Sequence, residues 1–283
     1  MASTRDIKRR RASIMSTGQI TKAMKLVSTV KLQKAKLRAE EAKPYFSNLY
    51  DTITAMLSRS DADVKRKYMN GNPDGKTAVI LISSNRGLAG GYNQNVAKLI
   101  TGSKLKPENT WIYSIGRKAA ELVEKRGYTV KEDLSEIINA PLYSDASHLA
   151  ETLMKGFESG EIKEIYVAFT IFRNTVSHVP TMLRLIPTDE FEDTEIDNLL
   201  MNFEPGPEEA LAAIMPKYVS GEIYGALIES LASENGARMQ AMDNATNNAE
   251  EMIDKLTLQY NRARQGAITQ ELTEIIAGAN AIN

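Results

Sequence analysis

The chain has 283 residues, 42% of them hydrophobic and 25% charged, with a net charge of −1. It contains no cysteine, which excludes disulfides, thiolate zinc sites and thiol switches. No run approaches the roughly 18 apolar residues that a membrane span needs, and the composition is that of a soluble globular protein of one or two domains.

The near-zero net charge conceals a polarity. Residues 1–43 carry 12 Lys/Arg against 3 Asp/Glu, whereas residues 217–283 carry 5 against 9. The nine prolines lie at 44, 73, 107, 141, 180, 187, 205, 207 and 216, so both terminal stretches are free of them. Proline in a helix interior costs about 3 kcal/mol, and its absence permits two very long helices.

In chain order, residues 3–57 read as one helix, bent at Pro44, with Ser3 or Thr4 as cap and Asp6 in the first turn. The Arg-rich start has the composition of a transit peptide, but the helical pattern runs on unbroken through Ile20, Met24 and Val27. From Ile20 these residues, with Ala35, suggest a seam repeating near every 3.5 residues. Residues 58–76 are polar and end in Asn70-Gly-Asn-Pro-Asp-Gly75, a loop by its turn chemistry.

Thr77–Ser83 is a short apolar run, read as a buried strand, and Asn85–Tyr92 turns into a helix over 93–102. Trp111–Ile115 is a second strand and Arg117–Arg126 a second helix ending at Gly127. Asp145 is expected to cap a third helix reaching Phe157. Glu164–Thr170 and Thr175–Ile186 read as two strands joined by a turn at Arg173-Asn174. The alternation predicts a mostly parallel, Rossmann-like sheet covered on both faces, with an antiparallel edge.

Glu208 onward is the final helix, in which Gly221, Gly225 and Gly236 weaken it locally or mark close packing. Met242, Ala245, Ala249, Met252, Leu256, Tyr260, Ala263 and Ala267 approximate a heptad seam. Because the α/β pattern lies between them, the two terminal helices are expected to pair antiparallel, with Met24 and Val27 near residues 263–275. The fold class is thus α/β: a long antiparallel coiled coil plus a central domain. The segments are 1–57, 58–207 and 208–283. Met15, Met24, Met239, Met242 and Met252 fall at seam spacing and read as packing residues.

Motifs for chemistry fail one by one. Gly71–Thr77 is one residue short of a phosphate loop and precedes its strand instead of following it. Arg86-Gly-Leu-Ala-Gly-Gly91 stands where a dinucleotide loop belongs, but its glycines fall as GxxGG and no ribose-binding acid follows. It reads as a tight strand-to-helix turn. The two histidines, His148 and His178, lack neighbours at metal-ligand spacing and read as satisfied or exposed. The carboxylates form no acid/base pair. No catalytic residue, cofactor or metal is expected, and a mechanical or interaction component fits best.

Three blocks carry a resemblance: Ile20-Thr-Lys-Ala-Met-Lys-Leu-Val27, Arg86-Gly-Leu-Ala-Gly-Gly-Tyr-Asn93, and Tyr260-Asn-Arg-Ala-Arg-Gln-Gly-Ala-Ile-Thr-Gln-Glu-Leu-Thr-Glu-Ile275. Ala232-Ser-Glu and Arg238–Thr246 fit as well. Together they resemble the γ subunit of F-type ATP synthase along the whole chain. The resemblance implies a non-catalytic central rotor shaft. It couples ion-driven rotation of the membrane c-ring to ATP synthesis or hydrolysis on β. Implied partners are three α and three β subunits, ε and the c-ring.

The resemblance also implies roles for particular residues. Arg264 and Gln265 match the pair that contacts β. Met24 matches a position linked to energy coupling, and Arg238, Thr269 and Glu274 match positions that interact with it, as does Gln265. Phe203 and Glu204 sit where the family's foot meets the c-ring loops. Lys25 replaces an acid often found there, and Gly266 stands where alanine is frequent. The chain lacks the dithiol of chloroplast γ subunits, so a bacterial origin is expected, with the protein peripheral on the cytoplasmic side of the plasma membrane. Membrane contact would run only through the c-ring.

Two rivals remain from the residues alone. A nucleic-acid-binding coiled coil would use the basic arm, although no recognition motif accompanies it. A dinucleotide-dependent enzyme is opposed by the defective fingerprint.

Overall fold

The computed structural model describes residues 4–59, 74–187 and 206–282. Its elements are α1 (Thr4–Arg59), β1 (Lys76–Ile82), α2 (Tyr92–Thr101), β2 (Thr110–Ile115), α3 (Arg117–Glu124), β3 (Thr129–Asp133), α4 (Tyr143–Glu158), β4 (Ile162–Phe172), β5 (His178–Ile186) and α5 (Pro207–Ile282). The chain divides into two compact units, one of residues 1–28 with 239–283 and one of residues 29–238. Both terminal helices contribute to both units. The helical α1 runs on through Pro44, and α5 through Pro216.

The α/β unit is built on a five-stranded sheet of order β3-β2-β1-β4-β5, parallel except for β5, which returns antiparallel beside β4. Strand β1 is buried along nearly its whole length because helices cover both faces. Side chains alternate across a strand, so Ala78, Ile80 and Ile82 enter one core and Val79 and Leu81 the other. The first core is closed by Ile53 and Met56 of α1, Leu149 and Leu153 of α4, and Leu211, Met215, Val219 and Leu227 of α5. The second is closed by Val96 and Ile100 of α2 and Ala119 and Val123 of α3. Each fully buried Ile or Leu contributes about 1.5–3 kcal/mol of transfer free energy. Tyr143, at the start of α4, sets its ring edge-on to Tyr45 of α1 at 6.2 Å and Tyr224 of α5 at 5.9 Å.

Local details correct some expectations. Strand β3 was not expected: its Thr-Val-Lys-Glu-Asp sequence is a charged, exposed edge, and an edge strand protected by charge carries no apolar run. Asp145 is not the cap of α4. It lies in the first turn, and its carboxylate accepts from the Leu142 N–H at 3.0 Å. The β4–β5 turn is as expected: the Asn174 carboxamide oxygen accepts from Val176 and Ser177 N–H groups at 2.9 and 2.7 Å.

In the helical unit α1 and α5 pair antiparallel. A Cβ added at Gly18 would lie 3.3 Å from the Ala249 Cβ. Thr21 and Thr246 share a hydrogen bond of 2.8 Å, and Lys25 Nζ donates to Asp243 at 2.6 Å. The Arg11 guanidinium lies 5.7 Å from the Tyr260 ring centre. As α1 advances, its partner on α5 recedes.

This register overturns two expectations. Met24 sits across from the neighbourhood of Asp243. Residue 263 is 20 positions farther along, about 30 Å at helical rise, so Met24 and Val27 do not approach residues 263–275. The seam also differs. On α1 it runs through Ile7, Arg11, Ile14, Gly18, Thr21, Lys25 and Ser28, and on α5 through Met242, Thr246, Ala249, Ile253, Leu256, Tyr260 and Ala263. Both step alternately by four and three, a strict heptad. Ile20 and Val27 are exposed, each 58%, and Met15 and Met252 also face outward.

Candidate functional site

The residues singled out for coupling fall into separate places. Beyond Ala263, every residue of α5 from Arg264 to Gly278 is exposed. Arg264, Gln265, Thr269 and Glu274 all lie on this bare stretch. Its internal bonds run along the helix: Thr269 Oγ1 donates to the Gln265 carbonyl at 2.9 Å, and Gln270 Nε2 donates to Glu274 at 2.9 Å. The exposed Arg264 guanidinium and Gln265 carboxamide, about 100° apart around the helix, are suited to carboxylates or backbone groups of another chain. Met24 is half-buried on α1 of the same unit, remote from this tip by the register described above. Phe203 and Glu204 lie outside the described residues.

Arg238 sits in the α/β unit and is mostly buried. Its Nη1 donates to Glu234 Oε1 at 2.6 Å, and each side chain is 12% exposed. Its Nη2 reaches the carbonyls of Arg86 and Gly87, both at 3.4 Å. Burial pushes the Glu234 carboxyl up from its ordinary value, and Arg238 and Lys31 oppose that shift. Arg238 thus ties α5 to the turn that follows β1.

That turn is a built structure. Ser84 Oγ donates to the Arg86 carbonyl at 2.6 Å, and the Ser84 N–H donates to Asn93 Oδ1 at 2.9 Å. Leu88 has φ 63°, in the left-handed region that a side chain rarely adopts, and is 62% exposed. Gly116, after β2, has φ 113°, and a Cβ there would lie 2.1 Å from the Ser83 carbonyl oxygen, so only glycine fits.

The strand order reverses between β1 and β4, and in open α/β sheets that switch point is where dinucleotides bind. Here α5 fills it. Ser230 Oγ accepts from the Thr170 N–H at 3.4 Å, Ser233 Oγ donates to the Thr170 carbonyl at 2.9 Å, and Tyr92 OH donates to the Ser230 carbonyl at 3.3 Å. Gly236 comes so close to the sheet that a Cβ there would meet His178 at 2.7 Å and Phe172 at 3.1 Å. The expectation of a tight turn instead of a nucleotide loop agrees with this packing.

His148 is exposed, as expected. His178 departs from both readings offered for it. Its ring nitrogens are shielded from water and, among the described residues, make no hydrogen bond of ordinary geometry. Burial lowers its pKa below the usual 6.5, offset in part by the Thr175 backbone. Thr170 Oγ1 and Glu229 Oε2, near the same end of β4, are likewise buried without a hydrogen bond among the described residues. Sequence reasoning missed this polar patch and the Glu234–Arg238 latch, because scattered carboxylates on a helix give no signal until the fold brings a partner to them. Among the described residues no cluster of three or more His, Asp or Glu could hold a metal ion, and no helix is long and apolar enough to cross a membrane.

Comparison with known proteins places this architecture. The family model described as ATP synthase matches residues 3–282. The ATP synthase gamma chain of Lachnoclostridium phytofermentans is 56% identical over the full length of both chains. The sodium ion specific gamma chain of Acetobacterium woodii is 40% identical over 98% of each. Among solved structures, a chain of the Euglena gracilis mitochondrial ATP synthase superposes with a TM-score of 0.72 over 99% of this chain and 94% of that one, at 18% identity. That last likeness speaks to the fold, which is the predicted coiled coil with a mostly parallel α/β unit. The full-length sequence matches carry the assignment further: this chain belongs to the γ chain family of ATP synthase.

Proposed function

We propose that this chain is the central rotor shaft of an F-type ATP synthase. It couples ion-driven rotation of a c-ring to ATP synthesis or hydrolysis on β subunits and performs no chemistry itself. The observation that carries the reading is the bare tip of α5, where Arg264 and Gln265 stand exposed past the end of a heptad seam. Residues 1–57 and 208–283 act as shaft arms and residues 58–207 as the body. Shaft orientation biases which β conformation is favoured, so work passes as a difference in interaction free energy. The partners are three α and three β subunits, ε and the c-ring. Phe203 and Glu204 meet the ring. Met24, Thr269 and Glu274 support coupling from the helical unit, and Arg238 from the α/β unit. The protein sits peripherally on the cytoplasmic face of a bacterial plasma membrane and reaches it only through the c-ring.

The test is the double variant Arg264→Ala/Gln265→Ala in the reconstituted complex. Assembly should persist, while ATP hydrolysis or ATP-driven ion pumping falls. Unchanged values for both would remove these residues from the coupling site. Co-purification with α and β subunits tests the assignment itself, and salt-dependent binding to nucleic acid in their place would favour the basic-arm alternative.

A further inference from the structure

We propose that three successive layers of the α1–α5 coiled coil form a register code that sets how far the tip of α5 projects past α1. The layers are Gly18 against Ala249, Thr21 against Thr246 and Lys25 against Asp243. Each is matched by a different property: small volume, a shared hydroxyl bond, and opposite charge. The Thr pair is buried, and the Lys–Asp pair is about two-fifths exposed. An exposed ion pair contributes little to stability, so the code acts on alignment more than on strength.

Heptad seams invite slippage by seven residues, because every such slip still places seam on seam. The matched layers forbid it. A slip in one direction would set Thr21 against Ile253 and Gly18 against Leu256. The Thr21 hydroxyl would then lose its Thr246 partner and keep only the bond within its own helix to the Gly18 carbonyl at 3.0 Å, and Leu would have to enter a layer that the Gly18–Ala249 contact leaves too narrow. Lys25 would face Glu250 and keep an opposite charge, so the charged layer alone could not prevent that slip. The opposite slip sets Thr21 against Met239 and Gly18 against Met242, with the same two failures. Only the observed register satisfies all three layers. A slip of seven residues would move the α5 tip by about 10 Å. Resting on the reading of that tip as the β contact, these six residues are positioning residues for Arg264 and Gln265.

The absence of native cysteine makes the test clean. The register places Ile7 across from Tyr260, and a slipped register places it across from Ala267. In the assembled complex, Ile7→Cys should form a disulfide with Tyr260→Cys and not with Ala267→Cys. Transplanting the code one heptad along α5, with Thr246→Ile, Ala249→Leu, Ile253→Thr and Leu256→Ala, should shift the cross-link from position 260 to 267. It should also lower ion pumping per ATP hydrolysed. If the cross-link stays at 260 after the transplant, or if the unaltered code cross-links equally at both positions, the register code is wrong. If the cross-link moves and pumping per ATP does not, the code stands and the tip-contact reading fails. A milder pair covers the case in which the transplant does not assemble. Asp243→Lys should reduce the cross-link at 260 and raise that at 267, because Lys25 then repels position 243 and attracts Glu250, and Lys25→Asp/Asp243→Lys should restore it. Failure to restore also overturns the proposal.

Discussion

Arg238 holds Glu234 one turn away on α5 at 2.6 Å while its other nitrogen lies 3.4 Å from the Arg86 and Gly87 carbonyls. One guanidinium therefore neutralises a buried acid and anchors the turn after β1. Breaking a buried pair by removing one partner costs about 3–5 kcal/mol, whereas replacing both by apolar groups is often neutral. Arg238→Ala should destabilise the chain by that amount in denaturant unfolding. Arg238→Leu/Glu234→Met should unfold close to wild type. Similar stabilities for the single and double variants would show that the pair is not coupled.

Gly236 is set by space. Alanine would gain up to about 1 kcal/mol of helix propensity. Its Cβ, however, would lie 2.7 Å from the His178 ring and 3.1 Å from that of Phe172, and overpacking costs about 1–3 kcal/mol. Gly236→Ala should lower Tm, and adding His178→Ala should recover part of the loss by opening room at the contact.

The same histidine gives an acid-side pH dependence. Burial lowers its folded-state pKa below 6.5, so the unfolded chain takes up the proton first. Stability is present above about pH 6.5 and is lost as pH falls from there through the folded value. The charged groups nearby are Lys36, whose ammonium lies 4.8 Å from the Phe172 ring centre, together with Arg173 and Glu229. His178→Gln should flatten that limb in unfolding measured from pH 7.5 to 5.5. An unchanged slope would assign it to other groups.

Glu222 works in the opposite sense. Burial, and then the charge of Glu229, raise its pKa above 4.5. The folded state binds this proton more tightly, so its contribution is full below pH 4.5 and is lost as pH rises through the folded value. Glu222→Gln should be more stable than wild type at pH 7 and converge with it near pH 4. A variant less stable at pH 7 would mean that the carboxylate has a partner worth more than its burial cost.

The two faces of α1 make a paired prediction. Leu32 is 4% exposed and Val27 is 58% exposed. Leu32→Ala should cost the isolated chain about 2–5 kcal/mol. Val27→Ala should change it by no more than about 0.5 kcal/mol. Equal effects in urea unfolding would contradict the difference in burial between the two positions.

That contrast also explains what could be read from the sequence. Strands β1, β2 and β4 were legible because buried strands are apolar runs between turn residues, the edge strand β5 because turn residues at Arg173-Asn174 return the chain beside β4, and the two long helices because proline is absent from their outer stretches. The helical seam was misplaced at Ile20, Val27, Ala245 and Met252. Apolar spacing marks whichever face a helix buries in its final setting, and here large apolar residues point outward while Gly, Thr, Lys and Ser lie between the helices. Apolar residues need not be inside a lone chain. The candidate site residues came only from resemblance: an exposed Arg264-Gln265 pair has no pattern of its own, and the Arg238 latch depends on a loop 151 residues away.

The outward apolar face has a cost in the cell. Ile20, Leu26, Val27 and Val30 on α1, and Ile268, Leu272 and Ile275 on α5, are all more than two-fifths exposed. A copy synthesised in excess of its assembly partners would carry this sticky surface unshielded, open to chaperones, proteases and aggregation. Balanced subunit synthesis is thus a requirement written into the helix faces themselves, and an orphaned chain should be the shortest-lived form of this protein.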